Sequence, residues 1–316
     1  MWSGRMVLPV VICLAAGVSC TDARQTDRAP PASKDEVWRS CADAPFPRQE
    51  VAAAALGDEI FVAGGLAGDG DRVDRVDSYD TRRDRWSEQP PLPITLDHAM
   101  ATVWRGVFVV LGGYGTSGPS DAVFALRDGR WERLPSLGTA RAAGGAVTVG
   151  RRIVVLGGRG TAGHVEHGEL FDGDRWRRVP GLTSLRDHVG VATDGTRIYA
   201  AGGRRDGEHF SSFDRTVPGS GPRRLPDMPT ARSGLGVTFA GGRIIAVGGE
   251  GPRMFPEVES FDISDRRWSR LPDLAVPRHG AGVAAVGSDV YALLGGTKVG
   301  LGASQSCEVL SLTRRR

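Results

Sequence analysis

Lysine is nearly missing from this chain: Lys34 and Lys298 are the only two, and arginine carries the remaining basic charge. The bias can be genomic in origin, but arginine is also the better fork for carboxylates. A large charge of one sign is missing too. The net charge is +3 with acids and bases interspersed, which argues against nucleic acid as a partner. No apolar run is long enough to cross a bilayer; the stretch Met6–Val18 has thirteen residues and, behind Arg5, suits the core of a signal peptide. Cysteine is scarce, and two of the four, Cys13 and Cys20, lie in that leader. No serine–histidine–acid arrangement with a nucleophile elbow is present. What the chain has in quantity is glycine (45) and proline (19), spread along its length. That favours many short elements joined by turns, and 316 residues suffice for two ordinary domains or one large all-β domain.

The N-terminal segment divides at Cys20. "GVSC" at 17–20 resembles a bacterial lipobox, which implies Cys20 as the lipid-bearing residue. Gly17 stands where that motif usually has a bulky aliphatic, so ordinary signal-peptide cleavage stays open. Either way residues 1–20 read as a signal peptide of an exported, bacterial protein, lipid-anchored in the cell envelope or secreted. Residues 21–35 are polar and proline-bearing, with nothing to bury, and read as a flexible tether.

From residue 36 onward the chain repeats itself. A double glycine after an apolar strand recurs at Gly64, Gly112, Gly157, Gly202, Gly248 and Gly295, at intervals of 48, 45, 45, 46 and 47 residues. That is the period of a propeller blade. A tryptophan precedes the glycines by 26 residues at Trp38, Trp86, Trp131 and Trp176, and by 27 at Trp268; Pro222 takes this place in the fourth repeat. From the glycines to the next tryptophan place the spacing varies between 19 and 22, so insertion is tolerated there and is expected in the loop between second and third strands. Within a unit, "HGAGVAAVG", "DVYALLGG" and "EVLSL" each read as a strand by their period of two.

With aromatic–Asp pairs at Tyr79-Asp80, Phe171-Asp172, Phe213-Asp214 and Phe261-Asp262, followed by tryptophan, the pattern resembles the kelch family over residues 36–316. The resemblance implies an all-β, six-bladed propeller of the galactose-oxidase-like superfamily. The C-terminal repeat ends at "CEVLSL" without a tryptophan, while "EVWRSC" at 36–41 has one without a preceding repeat. The strand around Trp38 is therefore expected to complete the C-terminal blade and close the ring. That pairing makes Cys41 and Cys307 neighbours, either as a disulfide suited to an exported protein or as two free thiols.

In such a blade the segment leading into the innermost strand and the second-to-third-strand loop share a face, the expected binding face. Arg48, Arg141, Arg186, Arg232 and Arg278 begin the innermost strands, with Leu96 in the sixth. The equivalent third-strand residues are read as Asp77, Ala122, Glu169, Ser211, Glu259 and Glu308. The covariation favours structural ion pairs over an anion-binding ring and leaves Arg186 without a carboxylate. Arg186, with His188, Arg204, Arg205, His209, His164 and His167, forms the candidate ligand-binding group; the alternative is a solvated polar rim. These histidines, with Glu166, match no compact metal motif, and the iron-binding Glu-x3-Asp-x3-His pattern of plant kelch proteins is missing, so no metal or other cofactor is expected. Galactose-oxidase copper chemistry lacks its tyrosines and its cysteine link. "GGEGPRMFPEVESFD" at 248–262 resembles periplasmic kelch mutarotases of sialic acid, which implies Glu250 as proton carrier and Arg253 as carboxylate clamp. The reading is a monomeric binding module for a protein or acidic glycan, with the N-acetylneuraminate-type mutarotase as alternative.

Overall fold

The computed structural model describes residues 1–2 and 36–313. Residues 3–20 of the expected leader with Cys20, the tether and the arginine-rich end at 314–316 lie outside the described residues. Six four-stranded antiparallel sheets follow in chain order. The third blade is representative, with strands Gly145–Val149, Arg152–Leu156, His167–Phe171 and Trp176–Pro180 running from the axis outward.

The sixth blade draws its outermost strand from the other end of the chain. Trp38–Cys41 pairs with Cys307–Ser311 in the register Trp38↔Leu310 to Cys41↔Cys307, and the two cysteines are disulfide-bonded with Cα atoms 5.1 Å apart. Glu36 secures the seam by accepting a hydrogen bond from the Thr313 amide at 3.0 Å. "EVWRSC" is thus a last strand whose blade comes at the far end of the sequence.

Neighbouring blades are joined by a recurring bond. Each motif tryptophan donates its indole N–H to a carbonyl four residues past the preceding blade's tryptophan place: Trp38 to Pro272, Trp86 to Ala42, Trp131 to Pro90, Trp176 to Pro135 and Trp268 to Pro226, at 2.7–2.9 Å. A tryptophan packed against the next blade places its polar end on such a partner. The fourth blade has Pro222 instead, and its outer strand shrinks to Arg223–Arg224.

The pairing registers correct the repeat phase at three places. Leu294 (φ 61°) and Gly295 (φ 96°) adopt the backbone of the other glycine pairs, such as Gly112 (60°) and Gly113 (94°). The sixth motif is therefore Leu294-Gly295, and its spacing from Trp268 is 26 like the rest. In the fourth blade Asp214, not Ser211, faces Ala200 two residues before the glycines, as Glu169 faces Val155 in the third. Phe213-Asp214 is therefore not the aromatic–Asp pair of that blade. In the second blade the same place falls on Phe124, facing Val110, rather than on Ala122. Counted from the first motif position to this place, the second-to-third-strand connection varies between 11 and 14 residues. From there to the tryptophan place the spacing varies between 7 and 9, so insertions divide between two loops.

Candidate functional site

Once the phase is right, the arginine ring resolves completely. Arg48–Asp77 (2.6 Å), Arg141–Glu169 (2.7 Å), Arg186–Asp214 (3.1 Å), Arg232–Glu259 (2.7 Å) and Arg278–Glu308 are ion pairs within their blades. All five arginines are fully or almost fully buried. Burial pushes the Arg48 guanidinium down to about 10 although Asp77 opposes it. The second blade replaces the pair by buried Leu96 and Phe124. Arg186 is thus no exception: it has a carboxylate, it is inaccessible, and the expectation of a free guanidinium there is corrected.

Two residues past each arginine place the chain reaches the axis. Glu50, His98, Ala143, His188, Gly234 and Gly280 all take positive φ, between 49° and 62°. Their backbones link around the axis: His98 N–H donates to Glu50 O (3.0 Å), Ala143 to His98 (2.9 Å), His188 to Ala143 (2.7 Å), Gly234 to His188 (3.0 Å) and Gly280 to Gly234 (2.9 Å), with Val51 N–H closing on Gly280 O at 3.2 Å. Four of the six are not glycine, and left-handed backbone at such residues is strain held by the surrounding ring. Just outside, the residue after each arginine place bridges to the second-to-third-strand loop of its own blade, as in Asp97↔Tyr114, Asp187↔Arg204 and Ser233↔Glu250. Lead-in segments and loops therefore share one face.

The ring surrounds a cavity of about 110 Å³. His98 Nε2 lies 3.3 Å from Glu50 Oε2, and its Nδ1 bonds Asp97. His188 Nδ1 is 2.6 Å from Asp187 Oδ1, and its Nε2 is 2.9 Å from Arg204 Nη2. Arg204 also donates to Glu250 Oε1 at 2.8 Å. His279 Nδ1 stands 2.9 Å from Glu50 Oε1. Burial pushes the Glu50 carboxyl up, but His98, His279 and His188 outweigh it and hold it well below the usual carboxylate range. Burial likewise opposes protonation of His98, yet Glu50 and Asp97 raise it overall. His188 is lowered, mainly by burial, with Asp187 opposing and His98 adding to the shift. The neighbouring imidazoles are thereby pushed apart in their titration.

Of the residues singled out from the sequence, His188, Arg204 and Glu250 meet at the axis, and His164 joins through Asp187 at 3.1 Å. His209 bonds Ser233 at 3.1 Å in the adjoining blade, and Arg205 points to solvent. His167 lies apart, 3.1 Å from Thr139 Oγ1 beside the Arg141 pair. Arg253 does not converge with Glu250: it pairs with Glu257 and covers the Phe255 ring at 4.2 Å. The mutarotase pair is corrected accordingly, since the cation beside Glu250 is Arg204. Glu50, His98 and His279 escaped the sequence reading, although Glu50 and His98 lie at the same two-residue offset from the arginine place as His188.

The Kelch motif model matches residues 47–93 and 231–275. The chain is 34% identical over 161 residues to "Kelch-like protein terF" of Aspergillus terreus, covering 46% of this chain and 34% of that protein. It is 29% identical over 163 residues to "Kelch-like protein 35" of Mus musculus, covering 47% and 27%. The chain thus spans about a third or less of these relatives. The solved structure of YjhT superposes with a TM-score of 0.75 at 13% identity, over 87% of this chain and 98% of that one. With six blades and the ring closed by the strand Trp38–Cys41, this chain is a six-bladed β-propeller that carries Kelch motifs.

Proposed function

We propose that the protein is an exported binding module that takes a protein partner on the face carrying the second-to-third-strand loops. The observation that carries this is where apolar side chains stay in water. Among described residues 36–313, the exposed large apolar side chains are Val37, Ile94, Val217, Val276, Val299 and Leu301. Four of these six, Ile94, Val276, Val299 and Leu301, belong to lead-in segments or second-to-third-strand loops. Apolar exposure gathered on one face marks interaction surface more than apolar residues scattered singly. The same face carries Arg159 and Arg205, exposed and in no ion pair among the described residues, which suit carboxylates on the partner. The Cys41–Cys307 disulfide supports the reading of export to an oxidising compartment. The second reading, an envelope mutarotase acting on a sugar acid, draws support from buried Glu250 turned toward the axis beside Arg204. Against it, the axial cavity of about 110 Å³ is well below the ~300 Å³ at which ligand pockets begin.

The test is capture from the cell envelope. A partner retained by the wild-type protein is expected to be lost with Val299→Asp/Leu301→Asp, weakened by Arg159→Ala/Arg205→Ala, and kept by Val217→Asp on the opposite face. Loss only with Val217→Asp, or retention by all three variants, counts against the assigned face. Accelerated equilibration of sialic-acid anomers, followed by NMR, selects the second reading.

A further inference from the structure

We infer that Glu50, His98 and His188 form a site for a divalent transition-metal ion at the loop-face end of the propeller axis. Their ligand atoms lie within 4.8 Å of one another, and His98 Nε2 and Glu50 Oε2 are already 3.3 Å apart. Bonds of about 2.0–2.1 Å place tetrahedral ligand atoms roughly 3.4 Å apart, so closing around an ion asks for side-chain shifts of about an ångström. Two imidazole nitrogens with one carboxylate oxygen suit zinc, cobalt or ferrous iron rather than magnesium or calcium.

The arrangement behind the ligands is the stronger argument. Asp97 holds Nδ1 of His98 and Asp187 holds Nδ1 of His188, each from the preceding position in the chain. Both rings thereby keep their proton at Nδ1 and present the Nε2 lone pair inward, the outer-shell pattern that orients metal-binding histidines. His279 Nδ1 stands 2.9 Å from Glu50 Oε1, so Oε2 is the oxygen that faces the site. Each histidine ligand has its own orienting carboxylate. In the other blades the ring positions are Ala143, Gly234 and Gly280, so half of the circle is free of bulk. A Cβ at Gly280 would run into the Glu50 carboxylate.

Charge points the same way. Glu50, Asp97, Asp187 and Glu250 face Arg72 and Arg204. Four carboxylates thus face two guanidinium groups in a buried setting, where the further positive charge of a divalent ion is accommodated. Arg204 Nη2 at 2.9 Å from His188 Nε2 holds the lone pair the ion would need. Arg204 is accordingly a competitor for the site, and its displacement accompanies binding. Three chain ligands leave one tetrahedral position open.

The full chain, stripped with chelator, is titrated with Co²⁺ and Zn²⁺. One equivalent of Co²⁺ is expected to bind with visible absorption and to be displaced by Zn²⁺. Glu50→Gln, His98→Ala and His188→Ala should each weaken binding tenfold or more. Arg204→Ala should tighten it several-fold, a gain that misfolding cannot produce. The double variant His167→Ala/His209→Ala should keep the site. The inference is overturned by folded wild-type protein that binds neither ion, by binding that survives His98→Ala/His188→Ala, or by loss in the His167→Ala/His209→Ala variant alone.

Discussion

A charged group that enters the core does so in this protein with its counter-charge beside it. Glu169 accepts not only from Arg141 but from the amides of Gly138 (2.6 Å) and Thr139 (3.0 Å), so the pair holds the lead-in segment as well as itself. Removing one partner leaves a buried charge uncompensated. Glu169→Ala should cost about 3–5 kcal/mol in urea unfolding. The double change Arg141→Leu/Glu169→Phe reproduces the Leu96 and Phe124 solution of the second blade and should recover most of that loss. A cost below about 1 kcal/mol for the single change would mean that the ring of arginines is not structural. The covariation of arginine with acid was legible in the sequence. The partner of Arg186 was not, because Phe213-Asp214 has the letters of a motif that the hydrogen-bond register places three positions away. Letters carry phase only while loop lengths stay constant, and two loops per blade vary.

Among the elements, the closing strand was the most legible and bears the most consequence. A tryptophan without a repeat before it, and a repeat without a tryptophan after it, leave one way to make both whole. Four residues of strand suffice because Trp38 adds its bond to Pro272 and Cys41 its bond to Cys307. The cysteines are 266 positions apart, so the link constrains nearly the whole unfolded chain. Cys41→Ser/Cys307→Ser should lower stability by about 2–5 kcal/mol. The check is thermal unfolding of both proteins with and without reductant. The wild-type protein should fall toward the variant when reduced, and the variant should ignore reductant. Equal midpoints under oxidising conditions would mean that hydrogen bonds alone seal the ring.

At the scale of the whole molecule, the closeness of six inner strands sets what the axis can hold. Beyond the polar ring the channel is walled by Ala53–Ala55, Ala101–Val103 and their counterparts, around about 260 Å³. The blades meet there with no slack: a Cβ at Gly145 would collide with Val191, one at Gly190 with Val237, and one at Gly236 with Val283, each in the next blade. The small residues that the sequence showed at these strand starts are a packing requirement repeated around the circle. The groups that fill the polar end were poorly legible because they come from different blades, some 45 residues or more apart, and only closure brings them together. The same crowding that forbids a side chain at Gly190 keeps the polar cavity at ionic rather than sugar size. Gly190→Ala should therefore cost about 1–3 kcal/mol through overpacking. Gly221→Ala serves as the control, since its added Cβ meets nothing within 4 Å and its φ is not in the left-handed range. It should leave the melting temperature unchanged or slightly raised. If Gly190→Ala melts with the control, the blades can move apart, and an axis that widens in this way would admit ligands larger than a single ion.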